Sequence, residues 1–69
     1  MPNPMKAQEV LNILQRLGCT IIRQKGSHVI LRKEEKTIIV PFHGSKDIPI
    51  PTIKSILKQG GISEEEFSK

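Results

Sequence analysis

The sequence predicts a small α+β domain: one helix, three antiparallel strands, then a second helix. Three observations carry this. Apolar residues recur at helical spacing near the N-terminus and again after Pro51. Between those segments lie three short runs rich in β-branched residues, separated by polar turns. The chain has 69 residues, enough for a single domain over 1–69. A chain of this size buries only ~60% of its unfolded surface, so its core is thin and its active groups belong on an open face or shallow groove.

The first helix is expected over 6–17, where Ala7, Val10, Leu11, Leu14 and Leu17 fall on one side and Gly18 follows as the stop. A first strand is expected over 20–24, with Lys25-Gly26-Ser27 as a turn. The second and third strands run over 28–32 and 37–41, joined by the polar connection Lys33-Glu34-Glu35-Lys36. Alternation puts His28, Ile30 and Arg32 on one face of the second strand and Val29 and Leu31 on the other. Residues 42–47 read as a loop, and Ile48-Pro49-Ile50-Pro51 as extended, because each proline pushes the residue before it away from helix. Pro51 suits the first turn of a helix over 52–59 that turns Ile53, Ile56 and Leu57 inward and stops at Gly60-Gly61. Ser63 with Glu66 forms a capping box for a short final helical turn. The economical packing lays both main helices on one face of a three-stranded sheet and leaves the other open. That α-β-β-β-α order is the order of the double-stranded-RNA-binding fold, a likeness of architecture alone.

Charge is unevenly spread. The formal net charge is +4, yet from Arg16 to Lys58 nine basic residues face three acidic ones, while Glu64, Glu65 and Glu66 cluster near the C-terminus. A basic middle suits a nucleic acid or an acidic protein, and equally describes an ordinary solvated exterior. Phe42 and Phe67 are the only aromatics, so stacking on aromatic rings is not the main source of any nucleic-acid binding and phosphate contacts dominate. The single Cys19 makes no internal disulfide and reads as a small core residue; no cofactor and no metal centre are expected. No apolar run approaches the ~20 residues that span a bilayer, and the first residues lack a secretory signal. A reduced, cytoplasmic setting is the expectation.

Gly26-Ser27-His28 is the most informative stretch. It places a histidine, the side chain suited to proton transfer near neutral pH, where a flexible turn becomes a strand with basic residues on both sides. Arg23, Lys25, Arg32 and Lys46 are the candidate phosphate contacts, Gly26 lets a phosphate approach the backbone, and Ser27 caps the turn or donates to phosphate. The combination points to a phosphodiester. His28 also has a plain reading as a strand residue bonded to a neighbour, and the residues alone leave the two readings open. His43, in a glycine-containing loop, is a secondary candidate as general acid.

Three ordered segments resemble one family: Arg23-Gln24-Lys25-Gly26-Ser27-His28, then Val40-Pro41-Phe42-His43-Gly44-Ser45-Lys46-Asp47-Ile48, then Thr52-Ile53-Lys54-Ser55-Ile56-Leu57-Lys58-Gln59-Gly60-Gly61-Ile62-Ser63. Together they make the chain similar to HicA, the toxin of HicA–HicB toxin–antitoxin systems, over about residues 6–67. Family members often carry an aromatic where this chain has Cys19, and glycine where it has Pro51. The resemblance implies a small endoribonuclease, an mRNA interferase, with His28 as the functional histidine. It implies mRNA as substrate, a HicB-type antitoxin as inhibitor and a higher-order toxin–antitoxin complex. A non-catalytic RNA-binding module of the same fold is the alternative, and a regulatory domain that binds only an acidic protein is a third.

Overall fold

Leu14, Leu31, Ile38, Ile53, Ile56, Val10 and Val40 lose essentially all their exposure, and the arrangement of the chain follows from bringing these side chains together. Each large aliphatic buried this way contributes about 1.5–3 kcal/mol. The computed structural model describes residues 4–42 and 46–68. The order is β1 (Met5–Lys6), α1 (Ala7–Arg16), β2 (Thr20–Lys25), β3 (His28–Lys33), β4 (Lys36–Pro41), β5 (Asp47–Ile48), α2 (Ile50–Gly60) and α3 (Glu64–Ser68). The expected helix, three-stranded sheet and helices are all present.

In α1 the buried residues Ala7, Val10, Leu11 and Leu14 follow the i, i+3, i+4, i+7 rhythm of one helical face. Glu9 accepts the backbone N–H of Lys6 at 3.1 Å, satisfying one donor at the start of the helix. The helix ends where the N–H groups of Gly18 and Cys19 donate to the carbonyls of Gln15 and Leu14, at 3.1 and 2.9 Å. This reciprocal pair is the Schellman arrangement. It delivers Cys19 into the core, 4% exposed.

The three long strands form an antiparallel meander, β2-β3-β4, with β3 in the middle. Val29 pairs with Val40 and Leu31 with Ile38, and all four are buried. Residues opposite one another share a face, so these pairs make the floor on which α1 and α2 lie. β2 pairs with β3 through a bulge at Ile22. Unlike its neighbours, β2 is exposed at every one of its six residues. The helices therefore cover β3 and β4 and leave β2 projecting beyond them.

Two features differ from the expectation. Met5–Lys6 and Asp47–Ile48 pair as a separate two-stranded ribbon, closed by a Lys6–Asp47 ion pair at 3.1 Å, where the sequence suggested helix start and loop. The second helix starts at Ile50, not Thr52, so Ile48-Pro49-Ile50-Pro51 is extended only as far as Pro49. Pro49 is the last extended residue, and its carbonyl accepts the Ile53 N–H at 3.0 Å. The first turn of a helix needs no N–H from Pro51, so that turn tolerates it. At its other end α2 stops at Gly61, in the left-handed region, and Ile62 is buried beside it. Ser63 and Glu66 exchange side-chain and backbone bonds at 3.1 and 3.2 Å, the expected capping box.

The β3–β4 hairpin turns through Glu34 and Glu35, and Glu34 adopts a φ of 57°. A non-glycine residue there carries about 1 kcal/mol of backbone strain. Glu34→Gly is expected to raise stability by about 0.5–1 kcal/mol, and Glu34→Val to lower it by at least as much. Urea denaturation of the three proteins checks this; equal midpoints would show the turn to be unstrained.

Candidate functional site

Gly26 and Ser27 are the whole loop between β2 and β3, with Lys25 and His28 as the pair that closes it. Gly26 has a φ of 59°, and Ser27 is not left-handed. Positive φ at the first loop position alone is the sign pattern of a type II′ turn, whose twist matches that of the flanking strands. Glycine is needed here for the backbone, whatever else its missing side chain permits. The Phe42 N–H donates to the Ser27 carbonyl at 2.6 Å, stitching the loop to the end of β4. His28 is thereby held on the central strand, between Lys25 on one side and Pro41 on the other.

The pairing defines the open face row by row. Lys25, His28 and Pro41 form the first row; Arg23, Ile30 and Ile39 the second; Thr20, Arg32 and Thr37 the third. Neighbours within a row have their Cα atoms ~5 Å apart, and rows follow one another at ~7 Å. The three strands carry Arg23, Lys25, Arg32, Lys33 and Lys36 and no aspartate or glutamate. Glu34 and Glu35 lie in the turn at the far end of β3 from His28. The first two rows border an open hollow of about 530 Å³ lined by Lys25, Gly26, Ser27, His28, Ile30 and Ile39.

The sequence-chosen residues are distributed unevenly over this surface. Lys25, Gly26, Ser27 and His28 converge on the hollow, and Arg23 stands in the adjoining row opposite Ile30. Arg32 shares the face but sits four residues along the strand, ~13 Å from His28. Its Nε donates to the Glu34 carbonyl at 3.1 Å, which commits the guanidinium to the far turn. Lys46 is exposed next to the β1–β5 ribbon and lines no part of the hollow. His43 lies outside the described residues. Ile30 and Ile39 line the hollow as well, beyond the residues the sequence points to. Their signal was the strand alternation itself, which turns both to solvent against the usual preference.

Cys19 has no place in the site. It is buried in the core, and that burial pushes its thiol pKa up, an effect partly offset by the charge of Lys33. The neutral thiol is the inert form.

The chain is thus an α-β-β-β-α domain with one covered sheet face and, on the other, an exposed imidazole among cations with no carboxylate on the three strands. Residues 7–62 match the family model described as HicA toxin of bacterial toxin-antitoxin, a span from the start of α1 through Ile62. The chain belongs to the HicA toxin family. A comparison with curated proteins finds no match. Among the described residues no helix is long and apolar enough to cross a membrane.

Folded protein is expected to leave Cys19 at least 100-fold slower toward a thiol-specific alkylating reagent at pH 8 than urea-unfolded protein (on the order of the shielding that burial gives a thiol). Timed alkylation followed by mass measurement checks this, and equal rates would place the thiol at the surface.

Proposed function

We propose that this chain is an endoribonuclease, the toxin of its toxin–antitoxin pair, that cuts mRNA with His28 as general base. The observation that carries the reading is the juxtaposition of an exposed histidine with Lys25 across a two-residue hairpin, on a carboxylate-free sheet face of a HicA-family chain. In the proposed step His28 removes the proton of a ribose 2′-hydroxyl, and the 2′-oxygen attacks the adjacent phosphorus. The bond from phosphorus to the 5′-oxygen breaks, and that oxygen takes up a proton to leave as a 5′-hydroxyl. The other product is a 2′,3′-cyclic phosphate. Lys25 and Arg23 offset the charge gathering on the phosphate oxygens. Gly26 leaves the loop backbone open to the phosphate, and Ser27 offers a hydroxyl beside it. Arg32 and Lys46 fit more distant phosphates of a longer strand. His43, the candidate proton donor to the leaving oxygen, belongs to the same proposal.

RNA supplies its own nucleophile in this scheme, so the protein contributes position, a base and positive charge. A positioned general base is worth ~10²–10⁴-fold, which one side chain on an open face can deliver. The partner that would silence the activity is a HicB-type antitoxin covering the His28 face, and the setting is the cytoplasm, where mRNA is translated.

Purified protein is expected to cut single-stranded RNA in the presence of EDTA, leaving cyclic-phosphate ends. A strand with a 2′-deoxy sugar at the cleavage position is expected to resist. His28→Ala should lower the rate by at least ~10²-fold while circular dichroism and RNA affinity stay close to wild type, because His28 is exposed. Equal cutting of the deoxy strand would refute the 2′-hydroxyl mechanism. RNA bound but never cut would leave a binding module.

A further inference from the structure

On the open face two isoleucines lie side by side where the core gives them no reason to be. Ile30 and Ile39 are cross-strand partners, Ile30 half-buried and Ile39 43% exposed. The packed core is on the opposite side of the sheet and includes neither. Both line the hollow, one row (~7 Å) from His28 and Pro41. Arg23 stands against Ile30 from β2, and Lys25 borders the hollow beside His28. The backbone under the pair is anchored: Gln59 of α2 accepts the Ile39 N–H at 3.2 Å.

We infer that Ile30 and Ile39 form an apolar shelf that seats the face of one nucleobase of a single RNA strand, while Arg23 and Lys25 hold the phosphates next to it. This deepens the nuclease reading and rests on it, adding a base-binding subsite beside the proposed cleavage position. Charge selects the occupant. The shelf is bordered by cations, and no carboxylate stands on any of the three strands. An apolar plate edged with positive charge complements a polymer that carries a flat, weakly polar group beside every phosphate. Neither phenylalanine offers its ring to this face, since Phe67 is buried and Phe42 packs against the core. The shelf therefore works by removing base and isoleucine surface from water, which is tolerant of base identity and weaker than aromatic stacking. A base must be unpaired to lie on it, so the subsite favours single strands.

Binding to a labelled RNA oligonucleotide, and to the same oligonucleotide with its bases replaced by abasic sites, tests this in a His28→Ala background that leaves the probe uncut. The ordinary strand is expected to bind about fivefold tighter than the abasic one. Ile30→Thr with Ile39→Thr should erase that preference without changing the slope of affinity against salt. Arg23→Gln should lower that slope by about 0.7 and keep the preference. Ile39→Tyr, which retains strand propensity and offers a ring, should tighten binding to the ordinary strand only. Equal binding of the two strands by the shelf-intact protein, or an unchanged preference in the double threonine variant, would overturn the shelf while cleavage by wild type upheld the nuclease reading. A preserved base preference in a wild type that cuts nothing would uphold the shelf and sink the nuclease. Failure to bind RNA at all, with polyglutamate bound instead, would overturn both and mark the face as a protein surface.

Discussion

One-sided burial of the meander is the constraint on which the rest depends. Val29, Leu31, Ile38 and Val40 must face the helices, because α1 and α2 present Val10, Leu14, Ile53 and Ile56 to that side. With a side-chain period of two, this choice forces His28, Ile30 and Arg32 of β3, and Thr37, Ile39 and Pro41 of β4, to the other side. A slip of one residue would send every one of them to the wrong face. The short hairpin loops at Gly26-Ser27 and Glu34-Glu35 fix the register. The candidate site thus inherits its geometry from the core on the reverse of the same strands.

Much of this could be read from the residues, for identifiable reasons. The helical rhythm of Ala7, Val10, Leu11 and Leu14 is a strong periodic signal, the alternation of Val29 and Leu31 with His28 and Arg32 is one blurred by Ile30, and both hold in the structure. The β1–β5 ribbon could not be read, since two-residue strands have no periodicity and pair across forty residues of chain. The start of α2 was displaced because the extended preference of a residue before proline yields at Ile50, where the first turn is anchored by the Ile53 N–H on Pro49. At the candidate site, sequence gathered cations by proximity in the chain. The fold separates them by row: Lys25 beside His28, Arg23 one row away, Arg32 bonded to the distant turn. That sorting depends on register and on a bulge at Ile22, neither of which composition encodes.

On the proposed reading, a chain of this length is adequate because the hardest part of the chemistry resides in the substrate. An enclosed pocket is costly for 69 residues; an exposed imidazole on a sheet that must exist anyway costs little stability. The same openness leaves the site accessible from a broad angle, which is a requirement for reaching a long polymer and also leaves the face open to a protein inhibitor.

The projecting strand β2 has a mechanical consequence. All six of its residues are exposed, it is bulged at Ile22, and it joins the domain through β3 alone. Elements with so little buried surface are drawn from the low-stability end of a structure, so β2 is the strand that yields first. The imidazole rides instead on β3, clamped from both sides and pinned by Val29 and Leu31. Compliance and rigidity are thereby divided between adjacent strands. On the proposed reading, Arg23 and Lys25 can follow the path of a polyanion backbone while the His28 imidazole keeps its bearing.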